Sequence, residues 1–374
     1  MAGIRELARA CGVSVATVSR ALNGHPEVSV ETRRQIQQAA QRLGYRPSQS
    51  ARALVRGRSD AVGLLWDSSY EMAGRRHPFL LSLLVGIKQA LNDAGRHLIL
   101  LNVDADRQGR RAYLETARQF QLDGVIVMGV DGQRPALLEL LESGLPCVAI
   151  DTDIAGPRAG CVTSDNRAGA MAAVRHLHGL GHRSIATITG PLDMMPAAYR
   201  ILGFEEAVRE LGLDLPAPYV QTGDFFMDSG YACGSRLAKL PKSRRPTAVF
   251  VAGDEMALGA MHAFADAGLD VPGDIAVVGF DDIEAAGLVR PTLTTVAQDT
   301  LKLGAAAVDA LLEFVNRPRG ESGEYDAAEG GSTGPILAPT RLVVRQSCGA
   351  GARPGAASGA GSRARPRSGS SGAR

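Results

Sequence analysis

The chain has 374 residues and a formal net charge of only +2 at pH 7, but this small total hides a strong asymmetry. Residues 1–60 contain ten arginines, no lysine and four acidic residues; residues 61–348 carry a net charge of −9, and residues 349–374 carry five arginines and no acid. The five cysteines include no C-x-x-C pair, so their spacing indicates neither a disulfide framework nor a zinc site. No apolar run is long enough to span a membrane and no signal peptide precedes the chain, so we expect a cytoplasmic protein without metal or cofactor.

Three short helices are predicted at the basic N-terminus. Residues 4–11 place apolar side chains at i, i+3, i+4 and i+7, which is typical of an amphipathic helix. A second helix is expected to begin after an N-cap at Ser14 and to end at Asn23, and a third to begin after Ser29 and to stop at Gly44. Short helices joined by such tight turns predict a helix-turn-helix unit.

The second helix of such a unit enters the DNA major groove, with its N-terminal residues facing base edges. Base contacts are therefore expected from Val15, Ala16, Ser19 and Arg20. Arg20 can bind guanine O6 and N7 together, a contact that contributes about 1–3 kcal/mol of discrimination. Phosphate contacts, which position the protein without specifying sequence, are expected from Thr17, Asn23, Ser29, Thr32 and Tyr45. The alternative is an ordinary helical bundle in which Arg20 is merely solvated, but the positive charge favours a nucleic acid partner.

The segment "RPSQSARALVRGRSDAVGLL" follows the three helices. Residues 49–55 could form about two helical turns, too few to be stable alone. Residues 3–66 resemble the DNA-binding head and hinge of the LacI/GalR family of bacterial transcription regulators. The resemblance implies a hinge helix that folds on DNA, pairs with its twin in a dimer, and inserts Leu54, beside Ala51, into the minor groove at a central CG step. A flexible linker is the alternative, and the arginines of this segment would suit it equally.

Two positions of the head depart from the family pattern. Gly3 stands where relatives usually have Thr or Ser before the first helix, which puts one cap and one phosphate contact in doubt. Ser48 stands where Asn usually follows the hinge proline, and its hydroxyl can perform the same capping more weakly.

The body of the chain alternates short apolar runs with helical patterns. The runs are "AVGLLW", "HLILLNV", "DGVIVMG", "CVAID", "SIATITG", "TAVFVAG" and "IAVVGF". Continuous apolar strands of this kind predict parallel sheets covered on both faces. The resemblance continues to Cys348 through segments such as "SDNRAGA", "RPTAVFVAGDEMALGAM" and "PTLTTVAQD". It implies an all-α helix-turn-helix head followed by an α/β core of two Rossmann-like lobes of the periplasmic-binding-protein type.

The expected domains follow from this combination. They are a helix-turn-helix head at 1–46, a hinge helix and linker at 47–60, a first core lobe at 61–162 with 292–325, a second core lobe at 163–291 with 326–348, and a disordered basic tail at 349–374. The tail contains no leucine heptads by which a helical segment could tetramerise the protein, so a homodimer is expected.

Ligands of open α/β sheets bind beyond the carboxyl ends of the strands, so a small effector is expected in the cleft between the lobes. Asp151 and Asp281 end predicted strands and Arg200 follows another, and such carboxylates and a guanidinium suit the vicinal hydroxyls of a sugar. Phe79 and Phe225 can supply an apolar wall. The resemblance implies effector contacts from Phe79, Asp151, Arg200, Phe225, Asp281 and Gln298.

Three further expectations concern this region. A buried Arg200–Asp281 ion pair that joins the lobes without any ligand is the alternative interpretation of those two residues. Gly253 stands where many relatives have Asn, so an amide that touches sugar hydroxyls is missing and the ligand is expected to be larger or differently oriented. Asp254 is expected to cap the helix that follows it.

The function expected from the sequence is transcriptional repression. A homodimer would bind a near-palindromic double-stranded DNA operator with a central CG step, under the control of a sugar or sugar phosphate. A nucleobase corepressor or a protein coregulator remains open, and a sugar-binding transport protein or an enzyme on the same core is a remote alternative. The chain contains no G-x-G-x-x-G, P-loop or H-E-x-x-H motif, so we do not expect an enzyme.

Overall fold

The computed structural model describes residues 3–22, 25–45, 58–67, 78–103, 105–130, 132–317 and 334–350. The expected hinge helix with Ala51 and Leu54 lies outside these residues, as do Asn23 and all of the basic tail beyond residue 350. Across the described ranges, no helix combines the length and hydropathy that a bilayer crossing needs. Within the same ranges, no three His, Cys, Asp or Glu side chains converge on a possible metal position.

Three helices form the N-terminal head, as the sequence predicts: α1 Ile4–Cys11, α2 Val15–Leu22 and α3 Val30–Arg42. Gly12 ends α1 with a φ of 64°, a left-handed conformation that glycine adopts without steric cost. The Ser29 hydroxyl accepts a hydrogen bond from the Thr32 N–H at 3.2 Å and caps α3. Gly3 occupies the N-cap of α1 without any side-chain cap, which is the loss expected at this position.

The head has its own small apolar core. Leu7, Val18 and Ile36, one residue from each helix, have no exposed surface. Around them lie the buried side chains of Ala8, Ala21, Val28, Ala39 and Ala40. Leu22 is only half-buried, because Ala21, three residues after Val18, lies closer to the centre of the buried face of α2.

Contacts divide the chain into two compact units, and the first spans residues 1–75, 80–163 and 300–338. Its strands are β1 Ala61–Asp67, β2 His97–Val103, β3 Gly124–Met128, β4 Cys147–Ile150, β5 Ala159–Ser164 and β11 Ile336–Ala338. They form one sheet in the order β11-β5-β4-β3-β1-β2, with parallel pairing from β2 to β5. The helices are α4 Pro78–Asp93, α5 Ala105–Gln108, α6 Ala112–Gln119, α7 Pro135–Glu142 and α13 Thr300–Asn316.

The second unit spans residues 76–79, 164–299 and 339–374. Its strands are β6 Ile185–Thr189, β7 Val220–Thr222, β8 Ala248–Val251, β9 Ala276–Asp281, β10 Thr294–Gln298 and β12 Thr340–Val343. Their order is β12-β10-β9-β8-β6-β7, and all neighbours are parallel except the antiparallel pair β10 and β12. The helices are α8 Asn166–Gly179, α9 Met195–Glu210, α10 Met227–Ala238, α11 Asp254–Asp266 and α12 Glu284–Leu288.

The central strands are buried along their whole length. Every residue of β3 and β4 in the first unit, and of β6, β8 and β9 in the second, is buried. Continuous burial is the reason why these strands read as unbroken apolar runs rather than alternating patterns. The carboxyl ends of β8 and β9 therefore emerge from a rigid core and can hold polar side chains in fixed positions.

Two of the expected domain boundaries differ from the structure. Besides the short segment 76–79, which belongs to the second unit, the chain passes between the units at residues 163–164, 299–300 and 338–339. The sequence assigned residues 292–325 to the first lobe, but β10 pairs in parallel with β9 and belongs to the second sheet. It also assigned residues 326–348 to the second lobe, but β11 belongs to the first sheet. Lobe membership depends on strand pairing, and an apolar pattern does not reveal the pairing partner.

Candidate nucleic-acid interface and effector site

The helix α2 presents a free surface at its N-terminal end. The Ser14 hydroxyl accepts the Thr17 N–H at 3.0 Å, which fixes the first turn of the helix. Val15 is 41% exposed, an unusual position for a valine in so small a domain, and Ala16 beside it is also exposed. Val18 and Ala21 on the other side are buried. The residues expected to meet base edges thus lie on the outward face, while the apolar side of α2 holds it to α1 and α3.

Arg20 lies on the exposed face of α2 and forms an ion pair with Glu27. Its Nη1 atom lies 3.3 Å from a Glu27 carboxylate oxygen, and the two side chains are 51% and 68% exposed. Exposed ion pairs of this type contribute only about 0–1 kcal/mol. A guanine edge or a phosphate can therefore displace Glu27 at little cost, and the ion pair does not prevent the expected base contact.

The expected phosphate-binding residues that the structure describes lie in three places: Thr17 in α2, Ser29 and Thr32 at the start of α3, and Tyr45 after its end. Ser29 is exposed, Thr32 and Thr17 are half-buried, and the Ser29 and Thr32 hydroxyls lie 2.8 Å apart. The turn before α3 is held by Arg33, whose Nη2 donates to the His25 carbonyl at 2.8 Å. Tyr45 is half-buried just after α3.

A buried polar cluster in the second unit is centred on Arg200 in α9, which is 4% exposed. Its Nε atom donates to Asn166 Oδ1 at 2.8 Å, and its Nη1 atom donates to the Ala252 carbonyl at 2.5 Å. The same Nη1 lies 3.4 Å from Asp281 Oδ1. The guanidinium also stacks over the Phe280 ring, with 3.8 Å between its central carbon and the ring centroid.

Asp281 ends β9 in a strained conformation. Its φ is 121°, in a region that residues other than glycine rarely adopt, and the next residue, Asp282, has a φ of 59°. Its Oδ1 atom accepts from Gln298 Nε2 at 2.6 Å in addition to Arg200. Strain of this kind persists where the surroundings hold a residue firmly, and it concentrates at ligand sites.

Gln298, at the end of β10, has one polar atom without a partner. Its Oε1 atom is buried and accepts no hydrogen bond from the described residues. A buried acceptor normally has a donor, because leaving it unpaired costs about 1–3 kcal/mol. The amide oxygen beside Asp281 therefore keeps its capacity to accept a hydrogen bond.

Three further expected effector residues come from other segments of the chain. Asp151 follows β4 in the first unit with a φ of 59°, and its Oδ1 accepts from the Thr163 hydroxyl at 2.5 Å. Phe79 lies in the first turn of α4 and is 8% exposed. Phe225 precedes α10 with a φ of 72°, and the Arg200 guanidinium lies 5.8 Å from the centroid of its ring.

Asp254 does not cap α11, contrary to the expectation from the sequence. It is the first residue of that helix and has no exposed surface; Gly253 occupies the N-cap. The Asp254 carboxylate instead accepts the Ile283 N–H at 3.0 Å and the Thr295 hydroxyl at 2.6 Å. Burial, and secondarily the nearby charge of Asp281, raises the pKa of Asp254 well above its ordinary value. The residue ties α11 to the segments that follow β9 and form β10.

Comparisons with known proteins decide the family. Residues 3–48 match the model described as bacterial regulatory proteins of the lacI family, and residues 174–348 match that of a periplasmic binding protein-like domain. The chain is 34% identical over 320 residues to the ribose operon repressor of Escherichia coli (strain K12), an alignment that covers 85% of this chain and 94% of that protein. The chain belongs to the LacI family.

Other members of the LacI family are also similar to this chain over most of its length. The chain is 36% identical over 325 residues to the HTH-type transcriptional repressor PurR of Salmonella newport (strain SL254), covering 86% of this chain and 93% of that protein. A solved lac repressor dimer bound to operator and the anti-inducer ONPF matches with a TM-score of 0.76 and 29% identity, covering 93% of this chain and 99% of that one. This LacI-family chain is a DNA-binding transcriptional repressor, and its matched relatives are repressors rather than enzymes.

The sequence left open that a buried Arg200–Asp281 ion pair joins the two lobes without any ligand. In this LacI-family repressor the pair has a different role. The pair is buried, with side chains 4% and 3% exposed, as that alternative requires. Both residues belong to the second unit, however, so the pair cannot join one lobe to the other. Its effect is to orient the guanidinium and the carboxylate within a single lobe.

The glycine that replaces the usual LacI-family Asn lies beside the same cluster. A Cβ atom on Gly253 would lie 3.2 Å from Phe225 Cδ1 and 3.7 Å from Asp281 Oδ2. An asparagine here therefore requires Phe225 to shift by a few tenths of an ångström. The Phe225 ring can hold its present position because residue 253 is a glycine. The ring lies in part of the space that an asparagine side chain would need.

Asn166 also belongs to the cluster, but it was not predicted from the sequence. Its side chain is 2% exposed and bridges two groups. Its Nδ2 donates to the Ser164 carbonyl at 2.9 Å, and its Oδ1 accepts from Arg200 Nε at 2.8 Å. The neighbouring Asp165 caps α8 through the Ala168 N–H. The family segment "SDNRAGA" contains both residues, so the signal was present, but a capping motif does not reveal that the next side chain turns inward. The Ala252 carbonyl is a backbone group and has no sequence signal.

Proposed function

We propose that this protein represses transcription as a homodimer on a near-palindromic operator with a central CG step, under the control of a small effector. The exposed N-terminal face of α2 supports the DNA part of this proposal. Val15, Ala16, Ser19 and Arg20 contact bases, and Thr17, Asn23, Ser29, Thr32 and Tyr45 contact phosphates. Leu54 and Ala51 are proposed as the minor-groove wedge at the operator centre. Such a repressor acts on chromosomal DNA in the bacterial cytoplasm.

The effector is proposed to be a sugar or a sugar phosphate. The observation that carries this proposal is the unpartnered Gln298 Oε1 beside the strained, hydrogen-bonded Asp281. A hydroxyl can donate to the amide oxygen while its neighbour donates to the carboxylate, which is the pattern of a vicinal diol. Arg200 and Phe225 complete the polar and apolar sides, with a further contact from Phe79.

Two supports for this effector class come from outside the site. One similar protein is named as a ribose operon repressor, and a similar solved structure is a complex of the transcriptional regulator CelR with cellobiose. A nucleobase corepressor is the second candidate, because the unpaired acceptor and Asp281 equally suit amino groups of a purine. A protein coregulator is the third, and it would leave this cluster without a ligand.

Thermal unfolding of the full chain with a ligand panel tests the proposal. The panel contains monosaccharides, disaccharides, sugar phosphates, nucleosides and purine bases. A true effector at about a hundred times its Kd stabilises the protein by about 2.7 kcal/mol. Asp281→Asn retains the side-chain size, and asparagine tolerates positive φ, so this variant should fold but lose the ligand-induced shift. Asp266→Asn, in the same unit, is the matched control, since within the described residues the Asp266 carboxylate accepts a hydrogen bond from the exposed Tyr231 hydroxyl.

The outcomes separate the candidates. A shift with sugars that disappears in Asp281→Asn and persists in Asp266→Asn supports the proposal. A shift only with purines replaces the sugar by a nucleobase at the same site. An equal shift in both variants places the ligand elsewhere, and no shift with any ligand contradicts control by these small molecules and favours a protein coregulator.

A further inference from the structure

A cavity in the second unit lies at the opposite ends of the strands from the effector cluster. It measures about 350 Å³, within the range of small-molecule sites. Its lining includes Arg183 and Ser184, immediately before β6, Tyr219, immediately before β7, and Arg244, four residues before β8. These residues precede the strands, whereas Ala252 and Asp281 lie at the opposite, carboxyl ends of β8 and β9. The cavity is therefore separate from the proposed effector site.

The base of this cavity is rigid. Tyr219 is 6% exposed, and its hydroxyl donates to the Arg244 carbonyl at 3.1 Å. Because that bond uses the only hydroxyl hydrogen of the tyrosine, the Ser184 hydroxyl donates to the Tyr219 oxygen, at 2.6 Å. Pro216 and Pro218 form part of the lining beside the ring. A wall of prolines and a doubly bonded tyrosine loses little conformational entropy when a ligand binds.

The rim of the cavity carries two arginines and one carboxylate. Arg183 is held in place, since its Nη1 atom donates to the His178 carbonyl at 3.0 Å and to the His182 carbonyl at 3.1 Å. No hydrogen bond or ion pair joins the Arg244 guanidinium, or the Asp214 carboxylate, to any other residue in the part of the chain that the structure describes. The rim thus offers two guanidinium groups with donors to spare, one of them held in position.

We propose that this cavity binds a phosphate monoester attached to a hydroxylated body, that is, a sugar phosphate, at a site distinct from the effector cluster. Guanidinium groups bind phosphate oxygens in pairs, and two arginines belong to the lining of this cavity. Asp214 accepts hydrogen bonds from the sugar hydroxyls, which a phosphate alone would not provide. Tyr219 and the two prolines contact the apolar face of the ring.

Isothermal titration of the full chain with glucose 6-phosphate tests the proposal, with inorganic phosphate and glucose as companion probes. Arg244→Gln is the informative variant, because the side chain supports no contact within the described residues and its loss should not affect folding. Arg209→Gln, an exposed arginine in the last turn of α9 that is absent from the cavity lining, is the matched control. Asp214→Asn tests the hydroxyl contact.

The expected result is that glucose 6-phosphate binds and that Arg244→Gln weakens its binding at least tenfold, whereas Arg209→Gln changes it less than twofold. Asp214→Asn should weaken glucose 6-phosphate but not inorganic phosphate. The proposal is overturned if neither phosphate-bearing probe binds, or if Arg244→Gln leaves the affinity unchanged. Binding that Asp281→Asn abolishes and Arg244→Gln does not would assign the sugar phosphate to the effector cluster instead, so this proposal and that of the effector site fail separately.

Discussion

Gln298 donates from Nε2 to Asp281 Oδ1 over 2.6 Å, and this bond leaves the other end of its amide buried without a donor. The pair joins the ends of two neighbouring parallel strands, β9 and β10, which pair through Ala297 and Asp281. The carboxyl ends of adjacent strands are the usual position for ligands in such sheets. The unpaired oxygen thus lies at the edge of the sheet formed by these strand ends.

Replacing Gln298 with Leu should weaken effector binding without unfolding the protein. Leucine has a similar volume and removes the unpaired amide oxygen, and Asp281 Oδ1, which loses its bond from Gln298, keeps Arg200 as a donor, so the protein should still fold. The lost hydrogen bond contributes about 0.5–1.5 kcal/mol, which predicts about a three- to tenfold higher Kd for the effector. Calorimetric titration measures it, with Gln346→Leu on the surface of the same unit as the control. An unchanged Kd in Gln298→Leu would show that the ligand does not use this amide.

Replacing Arg20 with Ala should relax sequence specificity at one base pair of each operator half-site. Loss of a bidentate guanine contact costs about 1–3 kcal/mol on the preferred base and little on the others. Affinities for operators with each of the four bases at every position reveal the effect. The control is Arg34→Ala, which removes an equally exposed and ion-paired arginine from α3. An equal loss of affinity on all sequences would assign Arg20 to phosphate contact.

Substitutions of Gly253 separate steric from chemical effects on effector choice. A Cβ atom here lies 3.2 Å from the Phe225 ring, so Gly253→Ala should make the site smaller and disfavour larger ligands. Gly253→Asn adds an amide to the same steric change and should restore binding of smaller sugars. Comparing the two variants across the ligand panel isolates the amide. If both keep the ligand preference of the parent protein, Gly253 does not set effector size.

Replacing Asp254 with Asn should change how stability depends on pH. The pKa of Asp254 is raised by burial above its ordinary value of 3.8, so the folded state holds a proton that the unfolded state releases. Stability of the parent protein therefore falls as pH rises from that ordinary value through the folded pKa. Asparagine cannot titrate, and it can still accept from Ile283 and donate to Thr295.

Chemical denaturation across this pH range measures the difference between the two proteins. The free energy of unfolding of Asp254→Asn, minus that of the parent protein, should increase with pH. Asp266→Asn, an exposed position in the same helix, should show no such trend. A parallel pH dependence of parent and Asp254→Asn would mean that the carboxyl stays ionised in the folded protein.

The head and the strands could be predicted from sequence because their signals are local. Caps at Ser14 and Ser29, a left-handed Gly12 and apolar spacing determine the three helices, and continuous apolar runs mark the buried strands. The edge strands β7 and β11 are only three residues long and were not predicted. Their identity depends on pairing with a neighbour, which no short-range pattern encodes.

The candidate effector site was predicted only in part for the same reason. Arg200, Asp281 and Gln298 do converge, because strand ends that follow one another in a parallel sheet lie on one edge. Asn166, the strain at Asp281 and the inward position of Asp254 depend on three-dimensional packing. An aspartate at a helix start favours a cap on statistical grounds, but tertiary donors from Ile283 and Thr295 determine its place here.

Selection of bound sequences from a random DNA pool by the full-length protein tests the central claim most directly. A dimer with two heads on adjacent major-groove half-sites should enrich a near-palindrome with a CG step at its centre, and the enrichment should fall when the effector is added. Enrichment of no sequence, or of single unpaired half-sites regardless of any ligand in the panel, would contradict a dimeric repressor controlled through its core.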